Sequence, residues 1–220
     1  MQDLYVIFDL DGTLVDSAPD LHASLNHCLK EAGRETVELE QVRHMVGQGA
    51  RVLLKRGLTT TGGLPDDAEF EELVTVFFGY YKAHLTDQSL PYPGVMAALE
   101  ALKAGGAVMG VCTNKPIGFA RPLLDDLQMT DYFAAMTGGD SFDYRKPDAR
   151  HIKGTLNEMG YCAGKAIMIG DSESDILGAA NAKIPCIAVS FGYTPVPVQE
   201  LGPDHVIDHF DELVPLIKSL

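Results

Sequence analysis

Residues 4–13 read LYVIFDLDGT, an apolar, β-branched and aromatic run that ends in a polar tip carrying Asp9, Asp11, Gly12 and Thr13. A short run without polar alternation suits a strand buried on both faces, with its polar residues delivered at the carboxyl end. Side chains at i and i+2 of an extended segment point the same way, so Asp9 and Asp11 can face one crevice. From Pro91 onward, apolar runs recur at AVMGVC (107–112), YFAAM (132–136), AIMI (166–169) and PCIAVSF (185–191), with helical segments between them. Strands alternating with helices predict an α/β fold: a doubly wound, mostly parallel Rossmann-like sheet whose ligand crevice lies at the carboxyl ends of the strands. Three further polar signals follow predicted strand tips, VCTNK (111–115), RKPD (145–148) and IGDSESD (169–175).

Between the first strand and Pro91 the pattern is different. Leu21, Leu25, Cys28, Leu29 and Ala32 recur at helical spacing, as do Phe70, Leu73, Val74, Phe77, Tyr81 and Leu85. LEQVRHMV (39–46) and ARVLLKRGL (50–58) are shorter helical candidates, and TTTGGLPDD (59–67) reads as a loop. The expected organisation is a core of residues 1–15 and 90–220, interrupted after its first strand by a helical cap of residues 16–89.

Bulk composition narrows the function. At 220 residues, 46% hydrophobic and 22% charged, the chain can bury a substantial core without help from metal or disulfides. Its net charge of −14 disfavours nucleic acid and anionic membrane as partners. The same field repels phosphate esters, so an anionic substrate requires a local cluster of cation, lysine and backbone N–H. No apolar run reaches the roughly 20 residues of a membrane span and no secretory layout opens the chain, so a cytoplasmic setting is expected. Cys28, Cys112, Cys162 and Cys186 are scattered without a C-x-x-C pair and read as reduced thiols. The histidine pair His205 and His209 lies in a predicted strand and loop, where four-residue spacing does not make a metal site.

Taken together, DLDGTLVDS, TNK, KP and GDSESD resemble the four motifs of the haloacid dehalogenase-like hydrolase superfamily, in order and spacing over the whole chain. The segments GTLVDSAPDL, MVGQGA, TNKP, GGD and GYT are similar to the phosphoglycolate phosphatase branch. The resemblance implies a Mg²⁺-dependent phosphatase acting on a small phosphorylated metabolite, most simply phosphoglycolate, as a monomer or homodimer. Asp9 would be the nucleophile, forming an aspartyl-phosphate that is later hydrolysed, and Asp11 the general acid and then base. Asp171 would join Asp9 on Mg²⁺, with the backbone carbonyl of Asp11 as the third protein ligand. Asp175 would support that site from behind. Thr113, the Asn114 N–H and Gly12 would hold phosphate oxygens, and Lys146 would neutralise charge on nucleophile and phosphoryl group. Lys115 stays open between a solvated lysine and a site cation. Arg51, with the loop at 46–50, would meet a substrate carboxylate. The same motifs serve sugar phosphomutases, and a phosphate-binding regulator could keep the fold without the chemistry.

Overall fold

The computed structural model describes residues 3–220. The chain opens with β1 (Leu4–Phe8) and β2 (Val15–Asp16), then runs through four helices, α1 (Ala18–Glu31), α2 (Leu39–Arg43), α3 (Ala50–Thr60) and α4 (Asp67–Ala83). It returns through β3 (Leu90–Pro91) to α5 (Val95–Ala104), β4 (Val108–Cys112), α6 (Ile117–Asp126), β5 (Ala135–Thr137), α7 (Ala149–Glu158) and β6 (Lys165–Gly170). The last elements are α8 (Glu173–Ala182), β7 (Cys186–Val189), β8 (His205–Ile207) and α9 (Leu213–Ser219). None of the described helices is long and apolar enough to cross a membrane.

Six strands form one parallel sheet in the order β5-β4-β1-β6-β7-β8. From β1 the chain winds outward to β4 and β5, then crosses back to β6 and winds the other way. The switch point therefore lies between β1 and β6, where a doubly wound sheet opens its crevice. Val6, Ile7 and Phe8 are all completely buried. Val6 and Phe8 join an apolar cluster with Leu99 and Leu102 of α5 and Leu213 of α9, while Ile7 joins Ile152 of α7 and Ile176 of α8 on the opposite face. That two-sided burial is why the strand shows no polar alternation, and each such side chain contributes about 1.5–3 kcal/mol.

Two expectations needed adjustment. The run at 132–136 becomes a strand only at its end, because Tyr132 and Phe133 donate their N–H groups to Met129 and Thr130 in a tight turn, and Ala134 is the first to reach β4, through Met109. Phe133 packs its ring against Phe8 instead of extending the ladder. The expectation of an all-helical insertion missed β2 and β3, which pair antiparallel at the two points where the chain enters and leaves the four helices. Two-residue strands carry no readable periodicity.

Candidate active site at the β1–β6 switch point

Each sheet strand near the switch point ends in a polar residue that the crevice then collects. Asp9 follows β1, Thr113 follows β4 and Asp171 follows β6, while Lys146 enters from the loop before α7; all four are buried. The Lys146 ammonium lies 2.9 Å from Asp9 Oδ1 and 2.6 Å from Asp175 Oδ1. Asp9 Oδ1 lacks hydrogen-bond alignment with that lysine and has no other partner among the described residues. Asp175 sits in the first turn of α8, where its Oδ2 accepts from the Asp171 and Ser172 N–H groups and from the Ser172 hydroxyl. Asp171 accepts from the Thr13 hydroxyl at 2.9 Å and from the Tyr193 N–H at 2.8 Å.

These three carboxylates place one oxygen apiece within 4.8 Å of each other. One ammonium cannot balance them. Burial first, and then the Asp175 charge, push the Asp9 carboxyl up to about 7 against the opposing pull of Lys146. Burial, Asp175 and Asp9 likewise hold the Asp171 carboxyl well above the usual carboxylate range. A buried, all-oxygen, charge-deficient cluster is the donor set a hard divalent cation prefers, so the residues fit Mg²⁺. Asp175 already meets four donors and is suited to orienting its neighbours rather than to ligation.

Asp11 lies beside this cluster but faces elsewhere. Its carboxylate accepts from the Ser17 hydroxyl at 2.5 Å and from the Lys115 ammonium at 3.0 and 3.2 Å. Its side chain lines a cavity together with Asp9, Thr113, Asn114 and residues of the inserted helices. Asn114 ties the segment before α3 to the loop before α7, donating its side-chain amide to the carbonyls of Gly47 and Lys146.

Two expected residues take different positions. The Arg51 guanidinium forms a two-pronged ion pair with Glu71, half exposed, and stacks over Phe70 instead of lining the cavity. Gly12 gives its N–H to the Val15 carbonyl, so it has no free donor for phosphate. What Gly12 supplies is room: its φ is +86°, and a Cβ there would stand 2.5 Å from Asp171 Oδ2. Gly12→Ala is therefore expected to displace Asp171 and lower kcat by roughly 100-fold, with a weaker apparent affinity for divalent cation as the accompanying measurement.

Three residues to which the sequence assigns no site role are made central by the fold. Tyr193 bridges Asp171, through its N–H, to Asp16, through its hydroxyl. The Tyr81 hydroxyl, brought from α4, meets Lys115. His151, fully buried, accepts the Lys146 N–H at its Nδ1 at 3.2 Å, with its Nε2 3.2 Å from the Thr137 hydroxyl. Burial, then the Lys146 charge, push the His151 imidazole down to about 4. The folded state thus binds this proton less tightly than the unfolded chain, so the stabilisation is present above about pH 6.5 and is lost as pH falls toward 4. The expected loss is at most about 3 kcal/mol over that window. His151→Gln is expected to flatten it in a series of thermal melts from pH 7 to pH 4.5. In the sequence Tyr81 belongs only to an apolar helical stripe and Tyr193 only to the GYT segment, and neither they nor His151 show a site role there, since an aromatic or histidine gains its meaning from what the fold places beside it.

The family model for haloacid dehalogenase-like hydrolase matches residues 6–189, spanning every strand tip just described. The chain belongs to that family. Among curated relatives, a phosphoglycolate phosphatase of Agrobacterium fabrum is 49% identical over 96% of this chain and 91% of its own length. One of Caulobacter vibrioides is 44% identical over 93% of this chain and 86% of its own. A crystal structure of a predicted phosphoglycolate phosphatase from Haemophilus somnus superposes with a TM-score of 0.92 at 32% identity, covering 98% of both chains. For this haloacid dehalogenase-like hydrolase the likeness extends through the four inserted helices, which the same alignments cover.

Proposed function

We propose that the chain is a Mg²⁺-dependent phosphatase that hydrolyses a small phosphomonoester, with 2-phosphoglycolate as its favoured substrate, through an aspartyl-phosphate on Asp9. The observation that carries this reading is a buried Asp9 carboxylate set between Lys146 and Asp171, with Asp11 lining the same cavity. Relatives named phosphoglycolate phosphatase support the substrate. In this reading residues 16–89 are the cap and residues 1–15 with 90–220 the core, a division supported by the β2–β3 ribbon at both crossings.

Asp9 attacks phosphorus and displaces the ester oxygen, which takes a proton from Asp11. Asp11 then accepts a proton from water as that water attacks the aspartyl-phosphate. The Thr113 hydroxyl and the Asn114 N–H orient the phosphoryl oxygens, and Lys146 offsets the charge that accumulates on them. Asp9, Asp171 and the Asp11 carbonyl would hold Mg²⁺, which supplies charge neutralisation where carboxylates and phosphate must meet. Asp175 keeps Lys146 and the Asp171 backbone in place. A phosphomutase needs several hydrogen-bonding partners for sugar hydroxyls, and much of the cavity wall, Leu21, Val46, Leu53, Phe78 and Phe119, is apolar.

Phosphate release from 2-phosphoglycolate, sugar phosphates and nucleotides tests this directly. Chelation with EDTA is expected to lower turnover by about 100-fold or more, and Mg²⁺ to restore it. Turnover indifferent to chelator would overturn the metal assignment, and isomerised sugar phosphate without phosphate release would favour the mutase.

A further inference from the structure

Lys115 is the only cationic side chain lining the cavity among the described residues. It is 5% exposed, and its ammonium contacts both Asp11 oxygens, donates to the Tyr81 hydroxyl and lies 4.7 Å from the centre of the Tyr81 ring. Burial alone would pull such a lysine toward neutrality, but Asp11 and Tyr81 outweigh it and keep it charged. Lys146, the other buried lysine of the site, is engaged on the phosphoryl side by Asp9 and Asp175. Three arginines of the neighbouring helices are also engaged: Arg43 by Asp16, Arg51 by Glu71, and Arg56 by the Met45 carbonyl and Gln48. An anion entering beside Asp11 therefore meets Lys115. On that side the wall is otherwise apolar, and it includes Gly49 and Ala50 at the start of α3, where no described side chain caps the helix.

Both Asp11 oxygens contact the Lys115 ammonium, so a leaving group that comes within reach of Asp11 also comes within reach of Lys115. In the phosphate ester of a short 2-hydroxy acid, the carboxylate carbon is two bonds from the ester oxygen. That places a negative charge beside the very atom Asp11 must protonate, within reach of a cation already touching Asp11.

We propose that Lys115 and the Tyr81 hydroxyl form the subsite for a carboxylate on the leaving group. The proposal rests on the phosphatase reading above and names its substrate class as phosphate esters of short 2-hydroxy acids. As the Asp9–phosphorus bond forms and the ester P–O bond breaks, the bonding pair stays on the ester oxygen, which receives a proton from Asp11 and leaves as the hydroxy acid. A substrate without the carboxylate brings no anion to Lys115 and reacts poorly.

The test compares kcat/KM for 2-phosphoglycolate and for ethyl phosphate, the same skeleton with a methyl in place of the carboxylate. Wild type is expected to favour phosphoglycolate by about 1,000-fold, since a site built for a buried polar group rejects the analogue lacking it. Lys115→Met is expected to lower that ratio about 100-fold, with much of the change in KM for phosphoglycolate. Tyr81→Phe, which keeps the ring and removes the hydroxyl, is expected to lower it about 5-fold and decides the matter if Lys115→Met does not fold. A ratio unchanged in Lys115→Met, whether both rates fall together or neither does, overturns the subsite. Wild type that cleaves both esters without preference overturns it too, yet leaves the phosphatase reading standing. Wild type that cleaves no phosphomonoester overturns both.

Discussion

Asp9→Asn is expected to lower phosphatase turnover by about 10⁴-fold or more, because an amide oxygen is too poor a nucleophile to displace an alkoxide from phosphorus. No phosphoenzyme should be trapped on acid quenching. The same substitution is expected to stabilise the protein in the absence of divalent cation, which an ordinary loss-of-function variant does not do. Asp9 is buried among like charges, and its carboxyl is pushed up to about 7 from an ordinary value of 3.8. The folded state therefore holds this proton more tightly than the unfolded chain. The Asp9 contribution to stability is greatest below about pH 4 and declines as pH rises toward 7, by roughly 1.4 kcal/mol per unit. Asparagine cannot ionise, so the variant escapes that decline. Thermal melts of metal-free wild type and variant at pH 5 and pH 8 should converge at the lower pH and separate at the higher, with the variant melting later. Wild type should recover the difference on adding Mg²⁺. A variant that retains turnover removes Asp9 as nucleophile, and a variant that melts earlier at pH 8 removes the argument from crowded charge.

How far the sequence could carry these conclusions depended on whether a residue's role is local. Asp9 and Asp11 could be placed because strand alternation and a turn are properties of neighbouring residues. The convergence of TNK, KP and GDSESD at one edge followed from parallel topology, which sends every strand tip to the same side. Roles that depend on packing across the chain stayed hidden. Arg51 lies on a loop-to-helix segment near the site in sequence order, but the face of α3 that carries it meets Glu71 of α4. Gly12 belongs to a motif, but its N–H is committed to Val15, a pairing visible only once the tight turn is built. Lys115 stayed ambiguous for the same reason: the Tyr81 hydroxyl that meets it is 34 positions away on an inserted helix. The 16–89 insertion was legible as helical because its apolar stripes are long, whereas the two-residue ribbon at its base falls below any periodic signal.

Lys146→Met is expected to damage rate and fold together, opposite to Asp9→Asn. Lys146 is 2% exposed and bridges Asp9 to Asp175, whose charges outweigh the burial that would otherwise neutralise it. Methionine fills the stem but leaves buried carboxylates with no cation, and removing one member of a buried charge cluster costs about 3–5 kcal/mol. For a chain of this length that corresponds to a fall in Tm of roughly 10 °C. Turnover should fall about 10³-fold, since phosphoryl charge loses its fixed counter-charge. A merely structural lysine would show the first effect without the second at temperatures where the variant is folded. The two substitutions should also couple: once Asp9 is neutral, fewer charges are stranded by the loss of Lys146. Adding Asp9→Asn to Lys146→Met is therefore expected to stabilise the protein by about 1–3 kcal/mol more than the same change stabilises wild type. Strict additivity in that cycle would mean that Asp9 and Lys146 do not share one electrostatic cluster, and the charge balance on which the proposed chemistry depends would fail with it.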